Sequence, residues 1–465
     1  MSQAPFPTQI FREYDVRGDA EKHLTSDLFL ALGRAFGILV GTSTAGRRTR
    51  VALGRDCRLS SPRLHEALRE GLLRSGLDVV DVGVGPTPML YFAVHHLETD
   101  AGLMITGSHN PGHENGVKML RRSGSIYGDE IQRLRALIEA AQFTDGERGT
   151  ASERDVQGDY ADFMKKNLKL ATTDLKFVVD AGNGSAGPLA LKAMRALGLA
   201  PVELFCDMDG TFPNHHPDPT QPENVAALIA KVKETKSRVG IAYDGDGDRL
   251  GAVDADGTII WGDKLLTLFA RDILKDKPGG AILGEVKCSQ TMYDDIAKHG
   301  GRPIVWKTGH SLIKTKMKEE HALLAGEMSG HLFFADRYFG YDDAIYASLR
   351  LIEILARTGK TIGELLFDLP HTFVTPEIRV DCPDAIKFQV VAQVRSHFQE
   401  KLGKDKVMVV DGARILFDHG WGLVRASNTQ AALVVRFEAD TEARRDAYRA
   451  DVEGQIAEAR KAQRA

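Results

Sequence analysis

Short apolar runs and helix-spaced apolar positions alternate along the chain. Arg50–Asp56 and Asp78–Gly83 are compact, apolar-rich runs that read as strands. Between them, Ser61-Pro62 can cap and start a helix that runs to Ser75. An earlier helix is expected from about Thr25 to Val40, with Leu28, Leu32, Ala35 and Leu39 along one face. Strand–helix–strand order favours a parallel-rich α/β sheet. The unit recurs. Lys176–Asp180 is a strand running into Gly182-Asn183-Gly184, followed by Pro188 and a helix to about Leu197. Gly280–Lys287 is a strand ending in a polar loop, with a helix from about Ser289. The three units lie roughly 105 to 125 residues apart, which fits three similar α/β domains in tandem. Between the second and third, Arg238–Tyr243 is a strand leading into an Asp- and Gly-rich loop.

The last part follows a different pattern. Pro376–Val380, Val407–Asp411, Ala413–Phe417 and Ala432–Phe437 read as strands. Helices are expected over Pro383–Leu402 and from Thr441. Runs of strands beside helices predict an α+β domain with an antiparallel sheet. Glu458–Lys461 reads as a solvated helix end.

Bulk composition narrows the class. A chain of 465 residues exceeds what one core supports, so about three or four domains are expected. Hydrophobic content of 43% and charged content of 27% are those of a globular protein. A net charge of −4 argues against a general nucleic-acid or membrane-surface binder. Cys57, Cys206, Cys288 and Cys382 are far apart and form no CxxC, so reduced thiols are expected rather than disulfides or a zinc site. Met1 to Ile10 has no apolar signal core, and no apolar run reaches the roughly 18 residues of a membrane span. A cytoplasmic protein is the expectation.

Four polar stretches carry candidate chemistry. Thr106-Gly107-Ser108-His109-Asn110-Pro111 follows the apolar run Ala101–Ile105, placing a serine on a tight loop at a buried strand's end. Ser108 reads equally as a turn residue or as a nucleophile awaiting an activating partner. Asp244-Gly245-Asp246-Gly247-Asp248-Arg249 is the sharpest signal. Alternation gathers three hard oxygen ligands on one side of a loop, which suits Mg2+ or Ca2+. An EF-hand is disfavoured because Ala255 stands where the twelfth-position Glu would be. Without a cation, three carboxylates so close repel one another. Arg249 is placed to hold a phosphate beside the metal.

Gly326-Glu327-Met328-Ser329-Gly330-His331 alternates Glu327, Ser329 and His331. An extended loop would show all three on one side: Glu and Ser for sugar hydroxyls, His for a proton near neutral pH. Arg425-Ala426-Ser427-Asn428-Thr429 reads as a phosphate clamp or as a polar turn before a strand. Lys118, Lys287 and His310 would together make a locally basic cleft for an anionic substrate.

Taken in order, TGSHNP, DGDGDR, GEMSGH and RASNT closely resemble the motifs of the α-D-phosphohexomutase superfamily, and its bacterial phosphomannomutase/phosphoglucomutase branch above all. The resemblance spans nearly the whole chain, from Tyr14–Gly18 to Arg425–Thr429. It implies three α/β domains and a C-terminal α+β domain around a central cleft, with boundaries expected at 1–155, 156–257, 258–369 and 370–465. It implies an enzyme interconverting hexose 1-phosphates and 6-phosphates of mannose or glucose. Ser108 would carry a phosphoryl group and, with Asp244, Asp246 and Asp248, bind Mg2+. A hexose 1,6-bisphosphate would serve as intermediate and activator. The substrate phosphate would lie in Arg425, Ser427, Asn428 and Thr429, and its hydroxyls against Glu327 and Ser329. Arg249, Lys118, Arg17 and His331 are the implied catalytic residues. Lys287, His310, Tyr14 and His109 would contact substrate or line the site. A monomer whose C-terminal domain swings about Leu369–Pro376 is expected.

Two other classes stay open on the residues alone. A phosphatase using the Asp loop directly would need DxDx[TV], which DGDGD lacks, and would leave Ser108 unexplained. A sugar-phosphate or Mg2+ sensor would need no nucleophile.

Overall fold

The computed structural model describes residues 6–463 except 42, 45, 144–146 and 428–430. The chain groups into two compact units, one made of residues 1–269 with 329–365 and the other of 270–328 with 366–465.

The first unit begins with β1 (Val16–Asp19) and α1 (Ser26–Val40). The Thr25 hydroxyl caps α1 by accepting from the Leu28 N–H at 3.2 Å. Then follow β2 (Arg50–Arg55), α2 (Ser61–Arg74), β3 (Asp78–Val84), α3 (Thr87–His96), β4 (Ala101–Ile105), β5 (Glu114–Arg121), α4 (Asp129–Ala140) and β6 (Ala151–Glu153). The sheet order is β1-β5-β4-β2-β3-β6. β2 is parallel to β3 and β4, while β5 runs antiparallel to β4 and β1. The chain leaves β2 toward β3 on one side and returns to β4 on the other. The carboxyl ends of β2 and β4 therefore flank the point where strand order reverses, the usual ligand crevice of an open α/β sheet. The loop carrying Ser108 leaves β4 there. One core of the first unit joins Phe29, Leu32 and Phe36 of α1, Leu64, Leu68 and Leu72 of α2, and Val51 and Leu53 of β2, all fully buried.

A second sheet in this unit repeats the theme after α5 (Gln157–Asn167). Its elements are β7 (Phe177–Asp180), α6 (Ala186–Ala196), β8 (Val202–Leu204), α7 (Ala226–Thr235), β9 (Val239–Tyr243), β10 (Leu250–Asp254) and β11 (Ile259–Ile260). The order is β8-β7-β9-β10-β11. β8 and β9 run parallel to β7, and β10 antiparallel to β9. The Asp-rich loop is the β9–β10 hairpin connection.

The helix α8 (Gly262–Asp276) leads into β12 (Ala281–Glu285), α9 (Gln290–Lys298), β13 (Arg302–Trp306), α10 (His310–Glu320) and β14 (Leu324–Gly326). In the second unit β13 and β14 flank β12, both parallel to it. The three expected strand–polar loop–helix units are thus β2/α2, β7/α6 and β12/α9. In the first unit α11 (Ala344–Thr358) is capped by the Asp343 carboxylate, which accepts from the Tyr346 N–H at 2.8 Å.

The C-terminal part of the second unit holds β15 (Phe373–Val374), β16 (Ile378–Asp381), α12 (Lys387–Leu402), β17 (Val407–Met408), β18 (Ala413–Phe417), β19 (Gly420–Ala426), β20 (Ala432–Ala439) and α13 (Glu442–Ala462). Its sheet is antiparallel, as expected for the α+β part, and β20 is its hub, pairing with β15, β16 and β19. Three readings need correction. β19 is a strand where a loop was expected, so Arg425 is a strand residue paired with Val434. Phe373 and Val374 of the expected hinge already belong to this sheet, opposite Ala439 and Glu438. The end of α13 is not wholly solvated, because Ala459 is buried in the core with Val390, Val394 and Phe398.

Candidate active site

Ser108 is buried, 2% exposed, and sits in the left-handed region at φ 51°. A non-glycine residue there is uncommon and holds only when its surroundings over-determine it. Thr106 supplies part of that: its hydroxyl oxygen accepts the Ser108 N–H at 2.8 Å. The Ser108 hydroxyl donates to Asp244 Oδ2 at 3.0 Å and lies 3.2 Å from His109 Nδ1. The Ser108 hydroxyl thus has a buried acidic partner in Asp244.

Asp244, Asp246 and Asp248 are completely buried, and one oxygen from each lies within 4.8 Å of the others. Glycines permit this. A Cβ on Gly245 would meet the Ser108 carbonyl oxygen at 2.3 Å, so the Asp loop and the serine loop can touch only because position 245 is bare. Lys118, on β5 and 4% exposed, reaches into the same cluster. Its ammonium donates to Asp246 Oδ2 at 2.7 Å and also to Asp248 Oδ2. Lys118 therefore belongs to the acidic cluster rather than to an open basic cleft. Thr87 donates its hydroxyl to Asp246 as well. Asp246 Oδ1 and Asp248 Oδ1 are buried with no hydrogen-bond partner. These two oxygens, with Asp244, are a hard-donor set that fits a divalent cation, since buried orphan carboxylate oxygens are otherwise costly.

The electrostatics follow from three carboxylates sharing one ammonium. Burial pushes Asp244 up, and repulsion from Asp248 and Asp246 pushes it further, well above the usual carboxylate range. Burial acts the same way on Asp246, but the Lys118 charge and hydrogen bond outweigh it and hold Asp246 low. Burial would depress Lys118, yet Asp246, Asp248 and Asp244 raise it above its ordinary value. His109 is driven well down, first by burial and then by Arg249, Arg17, Lys118 and His331, so it stays neutral.

Arg249 and His331 face each other across an antiparallel bridge. Arg249 Nε donates to His331 Nε2 at 3.0 Å, which leaves the imidazole proton on Nδ1. His331 Nδ1 lies 3.2 Å from Asp342 Oδ2 and 3.6 Å from Asp248 Oδ1. Arg17 donates to Asn110 Oδ1 at 2.9 Å and to Asp15 Oδ2 at 2.6 Å, tying β1 to the serine loop. Tyr14, half-buried, lies in the bend before β1. The sequence reading did not single out Asp342, Thr87, Asn110 or Arg58. The pair Asp342-Asp343 ahead of α11 was the available signal for Asp342.

The second unit gathers the other expected residues. Glu285, at the end of β12, is fully buried and accepts from the Thr308 hydroxyl at 2.5 Å and the Met328 N–H at 3.0 Å. Glu327 accepts the Gly309 N–H at 2.7 Å, next to His310, the first residue of α10. Lys287 pairs with Glu377 at 3.1 Å and Glu285 at 3.5 Å. Burial would lower its ammonium, but Glu285, Glu377 and Glu327 raise it. Arg425 is buried and pairs with Asp411 at 2.9 Å. Ser427 is buried, and its carbonyl accepts from Lys387 at 2.6 Å. Asn428 and Thr429 lie outside the described residues.

One expectation about the GEMSGH stretch fails. It is not extended: Met328 and Ser329 form a turn and Gly330 takes φ 93°. Strict alternation is therefore lost. Glu327 engages Gly309, half-buried Ser329 lies in the turn, and His331 engages Arg249.

Among the described residues no helix is long and apolar enough to cross a membrane. Family models described as phosphoglucomutase/phosphomannomutase match in four consecutive pieces. They are alpha/beta/alpha domain I at residues 8–145, domain II at 158–257, domain III at 261–373 and the C-terminal domain at 377–455. A phosphomannomutase/phosphoglucomutase of Pseudomonas aeruginosa is 45% identical over 442 residues, 95% of this chain and 94% of that protein. A phosphoglucomutase of Neisseria meningitidis is 44% identical over 435 residues, covering 93% and 94%. A solved phosphoglucomutase/phosphomannomutase family protein from Burkholderia thailandensis superimposes with a TM-score of 0.91 at 44% identity, over 98% of both chains. With all four domain models in order and relatives matched end to end, the chain belongs to the phosphoglucomutase/phosphomannomutase family of mutases.

Proposed function

We propose that this chain interconverts hexose 1-phosphates and hexose 6-phosphates of glucose or mannose by passing a phosphoryl group through Ser108. The observation that carries the reading is the buried serine hydroxyl 3.0 Å from Asp244, inside the carboxylate triad. In the forward half-reaction the bond between phosphorus and Ser108 Oγ breaks as a bond to the free sugar hydroxyl oxygen forms. That hydroxyl gives its proton to a neighbouring base. The hexose 1,6-bisphosphate then reorients and returns its other phosphoryl group to Ser108 Oγ, and the sugar oxygen it leaves regains a proton. The same bisphosphate serves as activator by charging an uncharged enzyme.

Asp244, Asp246 and Asp248, with the phosphorylated Ser108, would hold Mg2+, which when bound offsets charge on the transferring group. Arg249 supports the same charge through a fixed guanidinium that His331 orients. Of Arg17, Lys118 and His331, His331 alone carries an imidazole, the side-chain type suited to moving a proton. The Arg17 guanidinium offers donors and no acceptor, and Lys118 is raised by its carboxylates. His331 is thus the proton carrier, and Lys118 and Arg17 act by charge and position. Glu327 and Ser329 meet sugar hydroxyls; Arg425, Ser427, Asn428 and Thr429 hold the distal phosphate; Lys287, His310 and Tyr14 line the substrate site. His109, held neutral, supports Ser108.

A coupled assay with glucose 1-phosphate and a trace of glucose 1,6-bisphosphate tests this. Glucose 6-phosphate should form, in a Mg2+-dependent manner, and Ser108→Ala should abolish nearly all turnover. Release of inorganic phosphate instead would make the chain a hydrolase. Retained turnover in Ser108→Ala would remove the serine from the mechanism.

A further inference from the structure

We infer that Arg58 positions the phosphoryl-carrying serine: one buried guanidinium sets the backbone of the entire Ser108 loop. The inference rests on the reading of Ser108 as the phosphoryl carrier. Arg58 follows β2 at the strand-order reversal and is 1% exposed. Its Nη1 donates to the carbonyls of Pro111 at 2.6 Å and Glu114 at 2.9 Å. Its Nη2 donates to the carbonyls of Ser108 at 2.7 Å and Asn110 at 2.6 Å. Four carbonyls from seven consecutive residues, 108 to 114, thus converge on one side chain. Its Nε lies 3.2 Å from Asp56 Oδ2, and the Phe212 ring centroid lies 5.2 Å from the guanidinium carbon.

Convergent carbonyl dipoles repel one another, and buried ones without donors are costly. This loop therefore has no reason to adopt its path, with Ser108 at φ 51°, unless a cation with several fixed donors sits inside it. The guanidinium has that planar, multi-donor geometry, whereas a lysine ammonium has three donors on a flexible stem. Asp56 completes the clamp. It accepts the Gly107 N–H at 3.1 Å, the Ser61 hydroxyl at 2.5 Å and the Arg58 N–H at 3.0 Å, so it fixes the residue before the serine and orients the arginine. The bare α-carbon of Gly107 lets Arg58 approach, since a Cβ there would meet Arg58 Nε at 2.5 Å. Arg58 acts on Ser108 through the backbone; its contacts are with carbonyls, Asp56 and an aromatic ring rather than with the serine hydroxyl.

The test compares full-length wild type, Arg58→Lys and Asp56→Asn, each assayed well below its melting midpoint. Two rates are measured: steady-state turnover of glucose 1-phosphate, and transfer of labelled phosphate from glucose 1,6-bisphosphate to Ser108, read by intact mass. Displacing a nucleophile by about an ångström costs on the order of 100-fold. Arg58→Lys is expected to lose at least ~100-fold in kcat and in labelling rate, and Asp56→Asn ~10-fold, with KM changed by less than about threefold. A role confined to stability would lower the melting midpoint and leave both rates per folded molecule near wild type, and that result overturns the inference. A KM effect with kcat unchanged also overturns it. If Arg58→Lys does not fold, Asp56→Asn decides alone by the same criteria. An active, labelled wild type with unaffected variants removes only the role of Arg58. A wild type that takes no label removes the reading of Ser108, and this inference with it.

Discussion

Replacing Lys118 with methionine should make the acidic loop depend on divalent metal for its stability. Lys118 is 4% exposed and supplies the ammonium bonded to Asp246 and Asp248, both 0% exposed. Methionine keeps most of the side-chain volume and removes the charge together with the hydrogen bonds to Asp246 and Asp248. Breaking a buried ion pair from one side typically costs 3–5 kcal/mol, so a loss of about 3–5 kcal/mol in chelator is expected. The folded ammonium is raised above its usual 10.5. Its contribution is therefore complete below 10.5 and is lost only as pH rises through the higher folded value. The difference between wild type and variant should stay flat from about pH 6 to 9. Lys118 occupies Oδ2 of both aspartates, while their Oδ1 atoms are the orphans. Metal and ammonium thus address different edges of the same carboxylates. Removing the ammonium leaves more negative charge facing the metal, which should bind more tightly and stabilise the variant more than wild type. A ligand at 100 times its Kd adds about 2.7 kcal/mol to the folded state, enough to resolve in urea titrations run with chelator and with Mg2+. A loss below about 1 kcal/mol in chelator, or a smaller Mg2+ response in the variant than in wild type, would show that Lys118 does not balance the triad.

Three further outcomes are expected. Burial, against the hydrogen bonds from the Tyr346 N–H, Tyr338 and Tyr160, raises Asp343 from 3.8 to about 6. A raised carboxyl favours folding below 3.8 and loses that contribution as pH climbs through about 6. Relative to wild type, Asp343→Asn should gain roughly 3 kcal/mol between about pH 4 and 7, and parallel denaturation curves at the two pH values would refute it. Gly245→Ala places a methyl 2.3 Å from the Ser108 carbonyl oxygen, so kcat should fall by ~100-fold or more with little change in KM. Glu327→Gln should reduce kcat/KM for hexose phosphates roughly tenfold, mainly through KM; an unchanged KM would remove Glu327 from sugar recognition.

What the sequence disclosed depended on how local the signal was. The Asp triad was readable because Asp-Gly alternation after an apolar run has few other physical explanations. The three strand–polar loop–helix units were readable because their apolar runs and caps lie within a dozen residues of each other. Arg425 was misplaced because Ser427 and Asn428 advertise a turn, while the pairing of Arg425 with Val434 is decided by the neighbouring strand. The alternation of Glu327, Ser329 and His331 fails at Gly330, where a Cβ would strike the Leu250 carbonyl oxygen at 2.4 Å. That close approach is tertiary and leaves no trace in spacing. Lys118 and Arg58 illustrate the same limit. Each is an isolated basic residue in the sequence and acquires meaning only from carboxylates or carbonyls distant along the chain.

The left-handed backbone at Ser108 restricts which hydroxyl amino acid this loop can employ. Threonine carries the same oxygen, but its second branch on Cβ is poorly tolerated at positive φ, so the nearest chemical substitute is the wrong one sterically. Glycine and asparagine, which such a backbone welcomes, offer no alcohol to phosphorylate. Position 108 is thus a point where conformational preference and reactivity select different residues, and an unbranched alcohol is the narrow overlap between them.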